Sequence, residues 1–200
     1  MVKCSPQEKP MVLLHMLLKL NFKKVLVFTS SVDSTHRLYL LLKLYGGIRV
    51  AEFSSGLSPT DRKRILQSFA QDKIDVLICS DAMSRGMDVS NVQYVVSYDA
   101  PSYIKTYIHR VGRTARAGRS GTAFTIVKRD EVKQFKQMMS KAAGHRLNEV
   151  KITPTELGMY QEDLNNTLQH LRVHLENEEG KLSDVVGQLK GQILMALSKS

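Results

Sequence analysis

The 200 residues carry 29 lysines and arginines against 19 acids, a formal net charge of +10, with 42% apolar residues and two cysteines. A chain of this length builds one domain with an extension, or two small domains. Its apolar content is ordinary for a globular protein, and two cysteines, Cys4 and Cys79, exclude a disulfide framework and point to a reducing compartment.

The positive charge sits in the body of the chain. Residues 1–150 hold 24 basic against 12 acidic side chains, and residues 151–200 hold 5 against 7. A polyanion, nucleic acid first among them, is therefore expected to meet the body alone. No apolar run reaches the length of a membrane span: Met11–Leu20 is broken by His15 and Lys19. It is also too short and too poorly flanked for a signal peptide, so no membrane partner is expected.

A short polar leader precedes Pro10–Leu20, where a proline at the start and dense leucine predict a helix buried on one side and ended by Asn21. Lys24–Thr29 is a continuous apolar run of strand length, the kind buried on both faces. Ser30 and Asp33 form a capping-box-like pair for the next helix, which stops before Gly46-Gly47. Ile48–Phe53 is the next strand. Ser58-Pro59-Thr60-Asp61 is a strong helix start, and Ile65, Leu66 and Phe69 give that helix its buried face.

Asp75–Cys79 and Val92–Tyr98 are further short strands, and Pro101-Ser102 begins the following helix. Gly121–Val127 is the last strand, with a helix from about Asp130 to Ala143 behind it. Strands alternating with helices imply parallel pairing through right-handed crossovers, hence an α/β doubly wound, mostly parallel sheet. Ligands of such sheets bind at the carboxyl ends of the strands, where Thr29, Ser30, Ser80 and Asp81 fall. From Pro154 the pattern changes. Leu157, Tyr160, Leu164, Leu168, Leu171 and Leu175 step by three or four, and Leu182, Val186, Leu189, Ile193 and Leu197 repeat this after Gly180. Two amphipathic helices around a glycine predict a hairpin, or a stripe that docks on the domain; a protein partner for them is the alternative. The organisation expected is a leading linker and helix over 1–22, a domain over 23–148 and a helical extension over 149–200.

The densest chemistry lies in His109–Arg119, where Arg110, Arg113, Arg116 and Arg119 recur every third residue between Gly112 and Gly118. Guanidinium groups offer a fixed fork of donors that suits phosphate, and a spacing of three gathers them on roughly one side of a helical turn. The competing reading is a solvated basic face.

This stretch resembles the H-R-x-G-R-x-x-R motif of DEAD-box RNA helicases. Ser80-Asp81-Ala82-Met83-Ser84-Arg85-Gly86-Met87-Asp88 resembles that family's T-D-x-x-x-R-G-x-D segment, and Val25–Ser31 resembles the apolar strand with a polar tip that opens its second domain. The three motifs are in the family's order, and the resemblance implies a RecA-like helicase C-terminal domain. It further implies that Arg113 and Arg116 reach the γ-phosphate of ATP, Arg116 as arginine finger, while Gly86 and Asp88 serve the nucleotide, Asp88 at the ribose. His109 and Arg110 are implied to face a partner domain, with an intradomain salt bridge as the alternative for Arg110. Arg85 serves phosphate or braces its loop, and Arg119 is expected to be solvated. Thr29, Ser30, Gly56, Arg62, Ser80 and Asp81 match positions that grip RNA backbone, Asp81 by orienting a neighbour or accepting from a ribose hydroxyl. The family's Q-x-x-R glutamine is Pro59 here, which leaves a side-chain role at that position in doubt.

The sequence contains no G-x-x-x-x-G-K-[ST] loop and no Asp-Glu-Ala-Asp. The family carries both on a first RecA-like domain, which would also bring the magnesium; no metal ligands are expected in this chain. The implied function is the C-terminal half of an ATP-dependent RNA helicase, active only when joined to that first domain. A free, non-catalytic domain that binds RNA or competes for a partner is the other reading. The wording of the Ser80–Asp88 segment resembles the nucleolar group serving large ribosomal subunit assembly, which implies a nuclear, nucleolar location, with the cytoplasm as alternative.

Overall fold

Alternation decides which layer each side chain of the sheet faces. In β2 (Val25–Thr29), Val25 and Val27 enter one apolar cluster and Leu26 and Phe28 the other, on opposite faces of the strand. The computed structural model describes residues 1–84, 89, 92–114, 121–141 and 147–197, those from 181 onward by backbone alone. Among the described residues six strands form one all-parallel sheet. Their order is β1 (Val2–Cys4), β6 (Thr122–Lys128), β5 (Tyr94–Ser97), β2, β4 (Val76–Ser80) and β3 (Val50–Phe53). Every residue of β2 and β4 is buried, as a strand covered on both faces requires. The expected doubly wound RecA-like sheet is thus the fold.

One layer consists of α1 (Lys9–Leu14), which runs into a π-helical turn (His15–Lys19), together with α2 (Val32–Tyr45), α7 (Pro154–Gly158) and α8 (Gln161–Leu197). The other holds α3 (Pro59–Ala70), α5 (Ile104–Val111) and α6 (Val132–Met139). The short α4 (Asp81–Ser84) continues directly from β4. Asn21, with φ of 51°, ends the first helical segment as expected, and Gly46 and Gly47, at φ of 84° and 70°, end α2 in a conformation that side chains resist. Ser58 caps α3 by accepting from the Asp61 N–H at 3.0 Å, with Pro59 in the first turn.

Three expectations are corrected. The polar leader contains β1, which pairs in parallel with β6, Val2 opposite Ile126; three residues are too few to show a period. The cap of α2 is Ser31, one residue later than predicted, and it accepts from Ser34 N–H at 3.0 Å. No hairpin forms at Gly180, because α8 is a single helix through it. One glycine costs about 1 kcal/mol against alanine, too little to break a helix that is already propagating.

The first half of α8 docks on the domain. Leu157, Tyr160, Leu164 and Leu171 are buried in the same cluster as α1 and α2. Thr167 is buried between Leu164 and Leu171, while Leu168, in the predicted stripe, is 42% exposed. The inward face therefore steps by four, three and four through Tyr160, Leu164, Thr167 and Leu171.

Lys9 and Asp99 tie α1 to the end of β5. The Lys9 ammonium pairs with the Asp99 carboxylate and lies 4.4 Å from the Tyr98 ring centroid, while the other Asp99 oxygen accepts from Ser30 N–H at 2.8 Å. Burial alone would raise the Asp99 carboxyl, but the hydrogen bond and charge of Lys9, aided by Ser30, outweigh it and hold the group below the ordinary carboxylate range.

Leu164→Ala should destabilise the chain by about 2–5 kcal/mol in urea unfolding, whereas Leu168→Ala should stay within about 0.5 kcal/mol; equal effects would mean that α8 does not dock by this face. For Asp99, the folded carboxyl binds its proton less readily than the unfolded one. Its contribution is fully present above the unfolded value of about 3.9 and is lost as pH falls through the lower folded value. Asp99→Asn should therefore lower the melting temperature clearly at pH 7 and progressively less below pH ~4. A loss that does not shrink on acidification would contradict the ion pair.

Candidate nucleic-acid and nucleotide edge

Because all six strands are parallel, their carboxyl ends share one edge, and that edge carries hydroxyls. Thr29 ends β2 and Ser80 ends β4, directly opposite one another in the register. Thr29 is buried, with Oγ1 2.6 Å from Thr35 Oγ1 and 3.4 Å from the Cys79 carbonyl. Ser80 is 5% exposed, and among the described residues its Oγ has no partner. A dry, unsatisfied hydroxyl costs about 1–3 kcal/mol, which makes Ser80 a candidate contact at this edge. Cys79 behind it is inert, its thiol pushed up to about 12 by burial.

Ser30 is exposed at the tip, its N–H held by Asp99. Gly56 follows β3, and a Cβ there would meet nothing within 4 Å; the domain itself does not demand glycine at this position. Arg62, in the first turns of α3, donates to the Ser55 carbonyl at 2.8 Å, and its Nε is buried without a partner among the described residues. The guanidinium thus folds back over the loop that holds Gly56.

Arg110 stands apart from the expectation that it faces a partner domain. It is 2% exposed and is among the largest fully buried side chains. Nε and Nη2 donate to the two Asp81 carboxylate oxygens, each at 2.7 Å, Nη1 donates to the Asp99 carbonyl at 2.6 Å, and the guanidinium lies 5.2 Å from the Phe28 ring centroid. The intradomain alternative is the one observed: a buried cation requires its charge and donors satisfied nearby. Asp81 thereby holds the Arg110 guanidinium in place.

One turn along, Arg113 donates to His109 Nε2. Thr114, buried, anchors the end of this segment by donating to the Val92 carbonyl at 3.0 Å. Gly112 closes α5 where a Cβ would stand 3.2 Å from the Ile108 carbonyl. The expected Gly86 and Asp88, with Arg85, Arg116 and Arg119, lie outside the described residues.

The edge therefore brings together Thr29, Ser30, Ser80, Asp81 and Arg110, linked through Asp99. Asp99, Lys9 and Thr114 were missed by sequence reasoning. An acid placed just past the end of a buried strand, in Ser97-Tyr98-Asp99-Ala100, was the available signal for the first.

Comparison with known proteins agrees with this arrangement. The family described as the helicase conserved C-terminal domain matches residues 8–118. The chain is 45% identical over 180 residues to the ATP-dependent RNA helicase DDX51 of Danio rerio, covering 90% of this chain but only 28% of that protein's length. Among solved structures, the E. coli DEAD-box protein SrmB superposes with a TM-score of 0.64 at 27% identity, over 78% of this chain and 90% of that one. Domain 2 of the DEAD-box helicase Mss116p, bound to an RNA duplex, superposes with a TM-score of 0.67 at 25% identity, over 82% and 68% of the two chains. With an all-parallel sheet of the same architecture and its arginine helix in the same family segment, the chain belongs to the helicase conserved C-terminal domain family, as a RecA-like C-terminal domain of the DEAD-box RNA helicases.

Proposed function

We propose that this chain acts as the C-terminal half of an ATP-dependent DEAD-box RNA helicase, holding RNA backbone and completing an ATP site when joined to a first RecA-like domain. The observation that carries the reading is the pair of neighbouring strand tips, Thr29 and Ser80, with the Ser80 hydroxyl buried and, among the described residues, unsatisfied. Hydroxyls and backbone N–H groups bond phosphate oxygens without reading bases. The net charge of +10 favours the same partner, and the RNA duplex on domain 2 of Mss116p supports it.

The arginine stretch suits a nucleotide. Arg113 and Arg116 would hold the γ-phosphate, with Arg116 stabilising the charge that develops on it, and Gly86 and Asp88 would hold the nucleoside, Asp88 accepting from the ribose. ATP supplies the phosphoryl group whose transfer to water drives the cycle. The role of Arg110 is indirect: by filling the space between Asp81 and the Asp99 carbonyl, it sets where α5 presents Arg113. The phosphate loop, the magnesium and the carboxylates that place water would come from the first domain, whose motifs this sequence does not contain. The wording of Ser80–Asp88, which resembles that of the nucleolar group serving large ribosomal subunit assembly, favours a role in that assembly in the nucleolus.

The chain by itself should bind single-stranded RNA weakly, with log affinity falling linearly in log salt by about 0.7 for each phosphate neutralised, and should show no RNA-stimulated ATP hydrolysis. In the joined enzyme, Arg116→Ala should reduce kcat strongly and spare ATP affinity. Asp88→Ala should instead weaken ATP binding by about 1–3 kcal/mol. Salt-insensitive, sequence-specific RNA binding would refute the backbone grip, and turnover by the isolated chain would refute the half-site reading.

A further inference from the structure

The imidazole of His36 lies between two carboxylates from different parts of the chain. Nδ1 is 2.8 Å from Glu52 Oε2 on β3, and Nε2 is 3.1 Å from Glu178 Oε2 on α8. Carboxylates only accept, so both contacts are hydrogen bonds at once only when both ring nitrogens carry protons. The neutral ring can satisfy one of them and turns a lone pair on the other.

The position of this contact gives it leverage. Tyr45, at the end of α2, feels the charge of Asp163 near the start of α8, while His36 near the start of α2 meets Glu178. The two helices therefore run antiparallel, and α8 climbs towards the edge of the sheet that carries Thr29 and Ser30. The apolar docking of α8 involves Leu164 and Leu171, with Leu175 partly buried. Glu178 lies beyond it, and the helix continues to Leu197. His36 is also adjacent to Thr35, whose Oγ1 bonds Thr29. A polar contact at the end of an apolar seam decides whether the last docked turn stays closed, because little other burial opposes its opening.

We propose that His36 is a protonation-controlled latch that fastens the middle of α8 to β3 beside the edge that carries Thr29 and Ser30. Doubly protonated, it joins Glu52 and Glu178 and holds α8 down past Leu175; neutral, it keeps its proton on Nδ1 for the closer and more buried Glu52, turns a lone pair to Glu178 and releases the helix at that turn. The latch does not depend on the helicase reading.

The charged and titratable groups around His36 come from all three elements. On β3 there is Glu52, largely buried, and on α8 there are Glu178 and His174, which lie 3.4 Å apart. On α2, Asp33 and Arg37 pair with one another at 3.1 Å, and the Tyr39 ring lies 6.5 Å from the imidazole. The two acids thus dominate the surroundings of the ring. Partial burial works against the charged ring, but the hydrogen bonds to Glu52 and Glu178 outweigh it, so His36 is held above the ordinary histidine value. Docking through the latch is then complete below about pH 6.5 and is lost as pH rises through the higher value of the folded chain.

The test is NMR on the whole chain between pH 5 and 9, following the His36 ring resonances together with amide protection factors for residues 174–179. The latch requires a His36 midpoint above about 6.5, with protection at 174–179 falling along the same curve. Glu178→Gln, an exposed substitution that leaves the core intact, should lower the midpoint and make protection independent of pH. Each unit by which the midpoint drops corresponds to a tenfold weaker coupling between protonation and docking. His36→Gln should abolish the pH dependence while residues 160–171 stay protected. An unchanged midpoint in Glu178→Gln, or a His36 titration with flat protection at 174–179, would overturn the proposal.

Discussion

The bidentate contact between Arg110 and Asp81 is the interaction on which the strand-tip edge depends. A guanidinium that is 2% exposed has left water almost entirely, and its desolvation is tolerable only because a carboxylate, a carbonyl and an aromatic face surround it. Those partners come from the end of β4, the turn after β5 and the interior of β2, so one side chain fixes three neighbouring strand ends relative to α5. The charge is used for placement, and of the two strand-tip hydroxyls beside it Thr29 is bonded within the domain while Ser80 has no partner among the described residues. Asp99 extends the same linkage, since its carbonyl accepts from Arg110 while its carboxylate holds the Ser30 N–H and Lys9.

The sheet was legible in the sequence because buried parallel strands write themselves as continuous apolar runs. Val25–Thr29 and Val76–Ser80 carry that signal in full, and parallel pairing then sets which ends become the ligand edge. β1 was hidden: Val2–Cys4 becomes a strand only by pairing with Thr122–Lys128, a contact distant in sequence that no local pattern announces. The hairpin expected at Gly180 failed for the opposite reason, because local propensity was given more weight than helix propagation. Leu168 shows the limit of reading stripes by eye, for the helix turns Thr167 inward in its place.

The candidate site was proposed by motif, and its geometry was less legible. The strand tips Thr29, Ser30, Ser80 and Asp81 fall together because the topology requires it. Sequence spacing could not decide between an outward and an inward Arg110, since both leave the same residue on the same helix; burial decided it. Asp99 and Lys9 escaped because their roles exist only once β5 stands beside β2.

The most direct test of the organising role of Arg110 is a double-mutant cycle with Asp81, read by urea unfolding. Asp81→Ala leaves a buried cation unpaired and should cost about 3–5 kcal/mol. Adding Arg110→Met, which removes the charge and keeps much of the volume, should recover part of that loss and give a coupling energy of about 0.5–3 kcal/mol. Strict additivity, with the double variant less stable than Asp81→Ala alone, would contradict the account.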